Sequence, residues 1–221
     1  MKKLMTAVFF MTIIFGFTLT ARAEDRFAVG AEANSLGLGG KVIVKLTDQF
    51  NTRIGGNGFQ YDYDATKSDV KYDLDLNLLN FSALLDWFPL DNGFRLSTGV
   101  IINQNEIDAT ARRESSYTVG NSTYTSAEVG TLTGHIDFNE AAPYVGLGWG
   151  TPFGKTSNWS VMFDLGVMFQ GSPDVDLGAT GTLAGNAAFE ADLQREEDDF
   201  EDDLAIFQFY PVVSIGIAYR F

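Results

Sequence analysis

The chain has 221 residues, no cysteine, and 15 basic against 29 acidic residues, so its formal net charge is −14. Such acidity argues against nucleic-acid partners and against direct docking on phosphates, because both need a basic surface. The length suits one domain, and the lack of cysteine excludes disulfides, so a packed core or a closed hydrogen-bonded ladder must hold the fold.

The first residues have the pattern of a secretory signal peptide. Lys2 and Lys3 precede an uncharged apolar stretch over residues 4–20, and the sequence ARA at 21–23 is a small-x-small cleavage site. We predict a signal peptide over 1–23 and one domain over 24–221. Residues 24–221 contain no apolar run that favours a spanning helix, so a closed barrel is the remaining way to cross a membrane.

Apolar and polar residues then alternate with a period of two in eight segments, which is typical of β-strands with two different faces. Glycines at 55, 56 and 58 predict a bulge or a bend in the third segment, and a change of phase at Leu78 and Leu79 predicts a bulge in the fourth. The segments lie at residues 27–34, 41–46, 51–63, 72–88, 94–103, 134–150, 159–170 and 207–221.

The connections between these strands alternate in length. Short turns at 48–51, 89–93 and 151–158 follow the second, fourth and sixth strands, whereas 109–133 and 172–205 are long. This pattern predicts an all-β fold, an eight-stranded antiparallel transmembrane β-barrel in the outer membrane of a Gram-negative bacterium, with both termini in the periplasm. A secreted soluble β-sandwich or lipocalin-like barrel is the alternative, because its strands also alternate.

The last strand ends on an aromatic residue. Tyr219 and Phe221 share the apolar face of this strand. The arrangement resembles the closing strand of bacterial outer-membrane barrels, in which a terminal Phe and an aromatic residue two positions earlier are read by the barrel-assembly machinery.

Three further stretches resemble one family. They are residues 71–76 (KYDLDL), 141–150 (AAPYVGLGWG) and 158–177 (NWSVMFDLGVMFQGSPDVDL). They are similar to the small CarO-type outer-membrane proteins, which are eight-stranded barrels discussed as slow channels for basic amino acids and linked to carbapenem entry. The resemblance covers the fourth to seventh strands and implies the fold and a channel role.

Alternation places several charged side chains inside this barrel. Buried charges must be paired and hydrogen-bonded, so the sequence predicts a network. One interpretation is a structural plug of salt bridges, and the other is a gate in which pairs such as Asp86–Arg95 or Asp164–Arg220 exchange partners. The residues are Glu32, Lys45, Arg53, Asp86, Arg95, Asp164 and Arg220.

The last long connection is strongly acidic. Phe189, Leu193, Phe200 and Leu204 recur with helical spacing, which predicts a short external helix whose apolar stripe packs on the barrel mouth or on Tyr117 and Tyr124. This helix is a solvated surface, a vestibule that concentrates cations, or a weak Ca²⁺ or Mg²⁺ binder without calcium-loop spacing. Its acidic residues are Glu190, Asp192, Glu196, Glu197, Asp198, Asp199, Glu201, Asp202 and Asp203.

The only histidine, His135, shares a strand face with Asp137, but no serine nucleophile stands beside it. We therefore predict no enzyme activity, no cofactor and no dedicated metal site. The expected function is a narrow, weakly cation-preferring channel for small polar solutes, with basic amino acids as candidates. The alternative is a non-conducting structural or surface-interaction barrel.

The expected partners follow from this location. They are outer-membrane lipid, lipopolysaccharide and the barrel-assembly machinery. If the barrel does not conduct, its external loops bind lipopolysaccharide through divalent cations or contact a protein partner. We expect a monomer, with no nucleic-acid partner.

Overall fold

The computed structural model describes residues 26–221 apart from 68, 69, 91, 112–115, 121, 155 and 156. The predicted signal peptide and the predicted mature start therefore lie outside the described residues. The strands are β1 (Phe27–Asn34), β2 (Gly37–Lys45), β3 (Phe50–Lys67), β4 (Val70–Trp87), β5 (Phe94–Asn103), β6 (Glu106–Ala111), β7 (Ser116–Val119), β8 (Ser122–Thr125), β9 (Leu132–Asp137), β10 (Ala141–Trp149), β11 (Trp159–Phe169), β12 (Asp174–Ala179) and β13 (Phe209–Arg220). The helices are α1 (Ser126–Val129), α2 (Ala187–Leu204) and a 3₁₀ turn (Ala205–Gln208).

Eight of these strands close into an antiparallel barrel in the order β1-β2-β3-β4-β5-β10-β11-β13. The seam joins the two ends of the described chain, with β1 paired to β13 from Ala28 opposite Arg220 to Asn34 opposite Ser214. This confirms the predicted fold class. Closure leaves no open edge within the wall, which is the condition for a sheet surrounded by lipid.

One side of the barrel continues beyond the wall as an extension sheet, in the order β12-β9-β6-β4-β3. β6, β9 and β12 continue the directions of β5, β10 and β11. The predicted long connections at 109–133 and 172–205 are therefore not loops throughout. The first contains the end of β6, the whole of β7 and β8 and the first two residues of β9, and the second contains β12. In β6 and β12 acidic residues occupy alternate positions, so neither strand is found by a search for apolar runs.

The bulge predicted in β4 is wrong, and so is the bulge that was one of the two alternatives for β3. The two strands pair without interruption from Phe50 opposite Trp87 to Lys67 opposite Val70. The continuous register means that neither strand contains an extra residue at the glycines or at Leu78 and Leu79.

The change of phase in β4 instead marks a change of surroundings. Within the barrel Phe81 and Leu85 point outward and are exposed, while Asn80 points inward and is buried. The same alternation carried into the extension puts Leu74 and Leu76 on the inner side. The strand thus turns its apolar residues outward in one zone and inward in the next.

The outer surface of the barrel is an apolar belt formed by exposed residues of every wall strand. In water such a continuous apolar patch would promote aggregation, whereas in a bilayer it is the surface that must face the lipid. The belt includes Val29, Val42, Ile54, Phe81, Leu96, Val145, Leu147, Val161, Leu165, Ile215 and Ile217.

Aromatic side chains gather at the short-turn end of the barrel. The ring of Trp159 lies 5.0 Å from that of Tyr219 at an interplanar angle of 60°, and the Tyr219 ring lies 5.4 Å from that of Phe221. Phe94 and Trp149 form an edge contact at 6.2 Å. A ring of amphipathic aromatic residues at one rim is typical of a membrane interface. Among the described residues, no helix is long and apolar enough to cross a membrane.

The extension has a small core of its own above the barrel. Phe189 and Leu193 of α2 are buried against inward residues of the extension sheet and against the β7–β8 hairpin. The ring of Phe189 meets that of Tyr124 edge-on at 4.9 Å, and Tyr117 is buried in the same cluster. The predicted helix is confirmed, and the first two residues of its apolar stripe, Phe189 and Leu193, pack with these tyrosines as predicted.

The barrel interior is packed around Tyr144, and two glycines make room for its ring. A Cβ atom at Gly166 would lie 2.3 Å from the Tyr144 hydroxyl oxygen, and one at Gly146 would lie 2.4 Å from it. We expect Gly166→Ala to lower the free energy of unfolding by about 1–3 kcal/mol, the usual cost of overpacking. The measurement is the denaturant midpoint of the refolded protein in detergent, followed by the heat-dependent shift in gel mobility.

Two variants control this prediction. Gly40→Ala should be close to neutral, because its Cβ would approach only the Gly30 carbonyl oxygen at 3.5 Å. Tyr144→Ala combined with Gly166→Ala should show no added cost from the second change. Additive costs in the double variant would contradict the steric account.

Candidate functional site

Four strands of the barrel wall bring charged side chains to one level of the lumen. Each comes from an inward position of its strand, and all four are buried. Two are positive and two are negative, so the cluster is neutral as a whole. The residues are Arg53 of β3, Asp86 of β4, Arg95 of β5 and Asp164 of β11.

Each arginine of this lumen network contacts both aspartates. Arg53 makes a forked contact with Asp164, with Nη1 and Nη2 lying 3.1 and 3.2 Å from its oxygens, and its Nε lies 2.7 Å from Asp86 Oδ2. Arg95 Nη2 donates to Asp164 Oδ1 at 2.6 Å, and its Nε lies 3.8 Å from Asp86 Oδ2. The predicted Asp86–Arg95 contact exists, but it is the longest in the network.

Some donors of the lumen network are not fully used. Neither Arg53 Nε nor Arg95 Nε makes a well-directed hydrogen bond within the described chain, and neither does Asp86 Oδ2. The short Arg53 Nε–Asp86 Oδ2 contact is therefore ionic rather than a linear hydrogen bond. Other atoms of the same side chains do have partners, since Ser97 donates to Asp86 Oδ1 at 2.6 Å and Arg95 Nη1 donates to the Gly150 carbonyl.

A second charged pair lies beside the network. Glu32 of β1 accepts a short hydrogen bond from Lys41 of β2, and further bonds from Asn57 at 3.2 Å and Ser214 at 3.3 Å. Sequence reasoning placed Glu32 inside but left out Lys41. The signal was present, because Lys41 has the same parity as Ile43, which is fully buried.

The other two predicted lumen charges lie at the short-turn end. Lys45 forms an ion pair at 2.8 Å with Asp48 of the following turn. Arg220 donates to the Gly154 carbonyl at 3.0 Å and to Asn158 Oδ1 at 3.2 Å. The structure thus does not bring together the predicted pair Asp164–Arg220, because β13 ends near the turn while Asp164 sits deeper in the barrel.

Beside the network lies a small cavity of about 30 Å³, whose lining residues include Glu32, Asn57, Asn80, Tyr144 and Asp164. That volume holds one or two water molecules. Asn80 is 1 % exposed and its Oδ1 has no hydrogen-bond partner in the described chain, so it suits a buried water. Toward the extension, Leu36, Ile101, Met168 and Val212 pack around Tyr144.

The acidic helix α2 lies against the inner side of the extension, at the opposite end of the lumen from the short turns. Several of its carboxylates accept hydrogen bonds from backbone N–H groups of neighbouring strands and turns. Glu197 accepts from Leu177 N at 2.8 Å, and Glu201 accepts from Val175 N at 3.3 Å. These two glutamates therefore cap the free edge of β12, which pairs with β9 on its other side.

The spacing explains why a helix can cap a strand. Residues four apart on a helix are about 6 Å apart along its axis, and residues two apart on a strand are about 6.7 Å apart. Glu197 and Glu201 thus match Leu177 and Val175 almost one to one. This use of the acidic segment was not predicted, because it depends on where the helix lies.

Other acids of α2 divide between contacts and solvent. Glu196 accepts from Gly120 N at 3.0 Å, and Glu190 accepts from Gly185 N at 3.0 Å. The Tyr124 hydroxyl donates to Asp192, and this bond holds the pKa of the carboxyl below its usual value. The exposed acids that remain on this helix are Asp198, Asp199, Asp202 and Asp203.

His135 lies on the outer face of the extension among acids. Its Nδ1 is 2.8 Å from Asp108 Oδ1 and its Nε2 is 3.6 Å from Asp137 Oδ2. The hydrogen bond to Asp108 raises the pKa of the imidazole above its ordinary value. Within the described part of the chain, no group of three or more His, Asp or Glu side chains could hold a metal ion.

The closed wall, the apolar belt and the polar lumen together define a transmembrane β-barrel. Among solved structures, the chain is similar to CarO2 of Acinetobacter baumannii, with a TM-score of 0.58 and 22% identity over 89% of this chain and 98% of that chain. CarO of Acinetobacter baumannii aligns over the same shares, with 22% identity and a TM-score of 0.56. The likeness confirms the CarO-type barrel fold. No protein-family model and no curated protein matches the chain.

The lumen network should behave as one electrostatic unit. Arg53→Met leaves Asp86 with only the distant Arg95, and we expect a loss of about 3–5 kcal/mol in unfolding free energy, as for other broken buried pairs. Adding Asp86→Asn should recover a large part of this loss, because the Arg95–Asp164 bond and the Ser97 contact remain. The measurement is a double-mutant cycle of denaturant midpoints in detergent.

An exposed pair gives the matched control. Lys45→Met removes an ion pair whose partner Asp48 is 95% exposed, and it should cost no more than about 1 kcal/mol. Simple additivity of Arg53→Met and Asp86→Asn would show that the network is not coupled.

Proposed function

We propose that the protein is an outer-membrane barrel with a narrow, weakly cation-preferring path for small polar solutes, with both termini in the periplasm. The observation that carries this proposal is the content of the lumen. If the interior served stability alone, apolar side chains could fill it at no loss. This barrel instead holds two arginines and two aspartates at one level, with polar side chains beside them.

The geometry of the network supports a gate. Each arginine already contacts both aspartates, so a small rotation exchanges partners without leaving any charge alone. Arg53 Nε, Arg95 Nε and Asp86 Oδ2 make ionic contacts but no hydrogen bond within the described chain, and they are the sites at which a passing polar solute or water gains one. The low local dielectric makes each such exchange selective for charge.

The acidic helix supports the preference for cations. Its four exposed aspartates lie on the same segment that covers the extension end of the lumen, and surface charge of one sign raises the local concentration of the opposite ion. CarO-type barrels resemble this chain in fold, and the basic amino acids discussed for that family are cations of suitable size. Basic amino acids are therefore the first solutes to test.

The second candidate function is a non-conducting barrel, and the size of the cavity favours it. A volume of about 30 Å³ admits water but no amino acid. In that case the charged lumen is a structural plug, and the loops carry the function by binding lipopolysaccharide or a protein partner. Both candidates share the expected contacts with outer-membrane lipid and the barrel-assembly machinery, which would read Tyr219 and Phe221, and both suit a monomer.

Lumen variants of opposite charge separate the two candidates. In a planar bilayer with a salt gradient, Arg95→Ala should raise the conductance and shift the reversal potential toward cations, because the two aspartates are left in excess. Asp86→Ala should shift it toward anions. If the parent and both variants show the gel mobility of folded barrels but no conductance, the channel is refuted and the structural plug is favoured.

The helix makes an independent prediction. Changing Asp198, Asp199, Asp202 and Asp203 to Asn should reduce the cation preference at low salt, and the difference should vanish near 1 M salt, where charges are screened beyond about 3 Å. Glu196, Glu197 and Glu201 keep their contacts, so the helix stays in place. Reversal potentials are the measurement.

A control removes similar charges elsewhere. Asp174→Asn with Asp176→Asn neutralises the outer face of β12, away from the lumen, and should leave the reversal potential unchanged. The helix variant removes four charges and the control removes two, so an equal shift per charge removed would mean that net charge, rather than the helix, sets the preference.

A further inference from the structure

The extension sheet has two edges, and the protein treats them differently. β12 forms one edge, and its N–H groups are capped by Glu197 and Glu201 of α2. β3 forms the other edge. Gly58 is the last residue of β3 that pairs with β2, where it stands opposite Leu38, so residues 59–63 pair only with β4. Within the described chain, their second backbone edge has no partner strand.

The open edge of β3 carries an aromatic ladder, defined as Phe59, Tyr61 and Tyr63. Neighbouring rings stack at 6.2 and 6.3 Å with planes within 18° of parallel. The three side chains are 46%, 53% and 56% exposed, although they share the inward parity of the strand. Such a row combines an unpaired hydrogen-bonding edge with broad π-faces beside it.

The charge around the ladder points to one kind of partner. Asp62 lies between the two tyrosines on the opposite face of β3, and it stands opposite Asp75 of β4. The exposed aspartates of α2 add further negative charge to the same end of the molecule. Positive side chains are attracted both to these carboxylates and to the faces of aromatic rings.

We propose that the β3 edge with its aromatic ladder is a docking site for an extended cationic peptide segment, which adds to the sheet as a further strand. Backbone hydrogen bonds to residues 59–63 supply the attachment, as in other cases of strand addition. Because side chains of a strand alternate, basic residues on one face of the peptide lie over the ladder, and those on the other face lie near Asp62.

A second copy of this chain fits the edge poorly. Antiparallel pairing of two β3 edges would bring the aspartates of both copies together, and like charges opposite one another destabilise a sheet. The proposal does not depend on conduction, so it stands apart from the proposed channel function.

The test uses the full mature protein in detergent and a labelled ten-residue peptide in which pairs of Arg alternate with pairs of Thr, so that both faces of the strand carry Arg. Fluorescence anisotropy at low salt is the readout. We expect saturable binding, and Tyr61→Ala with Tyr63→Ala should weaken it about fivefold or more, since each exposed cation–π contact is worth a few-fold in affinity. Asp62→Asn should weaken it as well. Gel mobility verifies that each variant folds.

Matched probes and variants make the test decisive. A peptide with Glu for Arg, and one with Pro for Thr that cannot pair with an edge, should not bind. Trp159→Ala, which removes an exposed aromatic residue at the other end, should bind as the parent does. In the α2 variant with its four aspartates changed to Asn, replacing the two tyrosines should still weaken peptide binding about fivefold.

Several outcomes would overturn the proposal. Equal binding of the proline peptide would exclude strand addition. Binding that is lost in the α2 variant but kept in the tyrosine variant would place the peptide on the helix. Crosslinked dimers of the protein alone that disappear in the tyrosine variant would assign the edge to self-association.

Discussion

Hydrogen-bond closure between β1 and β13 is the constraint on which the other features depend. Lipid offers no partner for a free backbone edge, so the wall must be complete before its apolar belt can face the bilayer. Closure at eight strands also fixes the width of the lumen. Charged residues at inward positions then have nowhere to go except toward one another, and this explains why Arg53, Asp86, Arg95 and Asp164 share one level.

The polarity of the strands reverses where the barrel gives way to the extension. In the wall, inward positions are polar and outward positions are apolar, because lipid is outside. In the extension, Asp75, Asp108 and Asp176 take outward positions while Leu177 packs inward on α2, because water is outside. The backbone register does not change, so one continuous strand serves two solvents.

Alternation allowed the wall strands, their number and four members of the lumen network to be predicted from sequence. It failed for β6 and β12, because an alternating strand of six residues with an acidic outer face looks like a loop. Alternation also shows only which face of a strand a side chain lies on, and not how far along the barrel axis it lies. Lys45 and Arg220 have inward parity but lie beside turns, where Asp48 and Asn158 satisfy them, and no pattern of period two reports that height.

The capped edge of β12 bears on the order in which the protein assembles. The Glu197–Leu177 contact joins residues 20 apart and the Glu201–Val175 contact joins residues 26 apart, whereas the β1–β13 seam joins opposite ends of the chain. Short loops close at far lower entropic cost than long ones. The cap therefore costs less loop entropy to form than the seam does, and it occupies an edge of β12 to which another strand would otherwise pair.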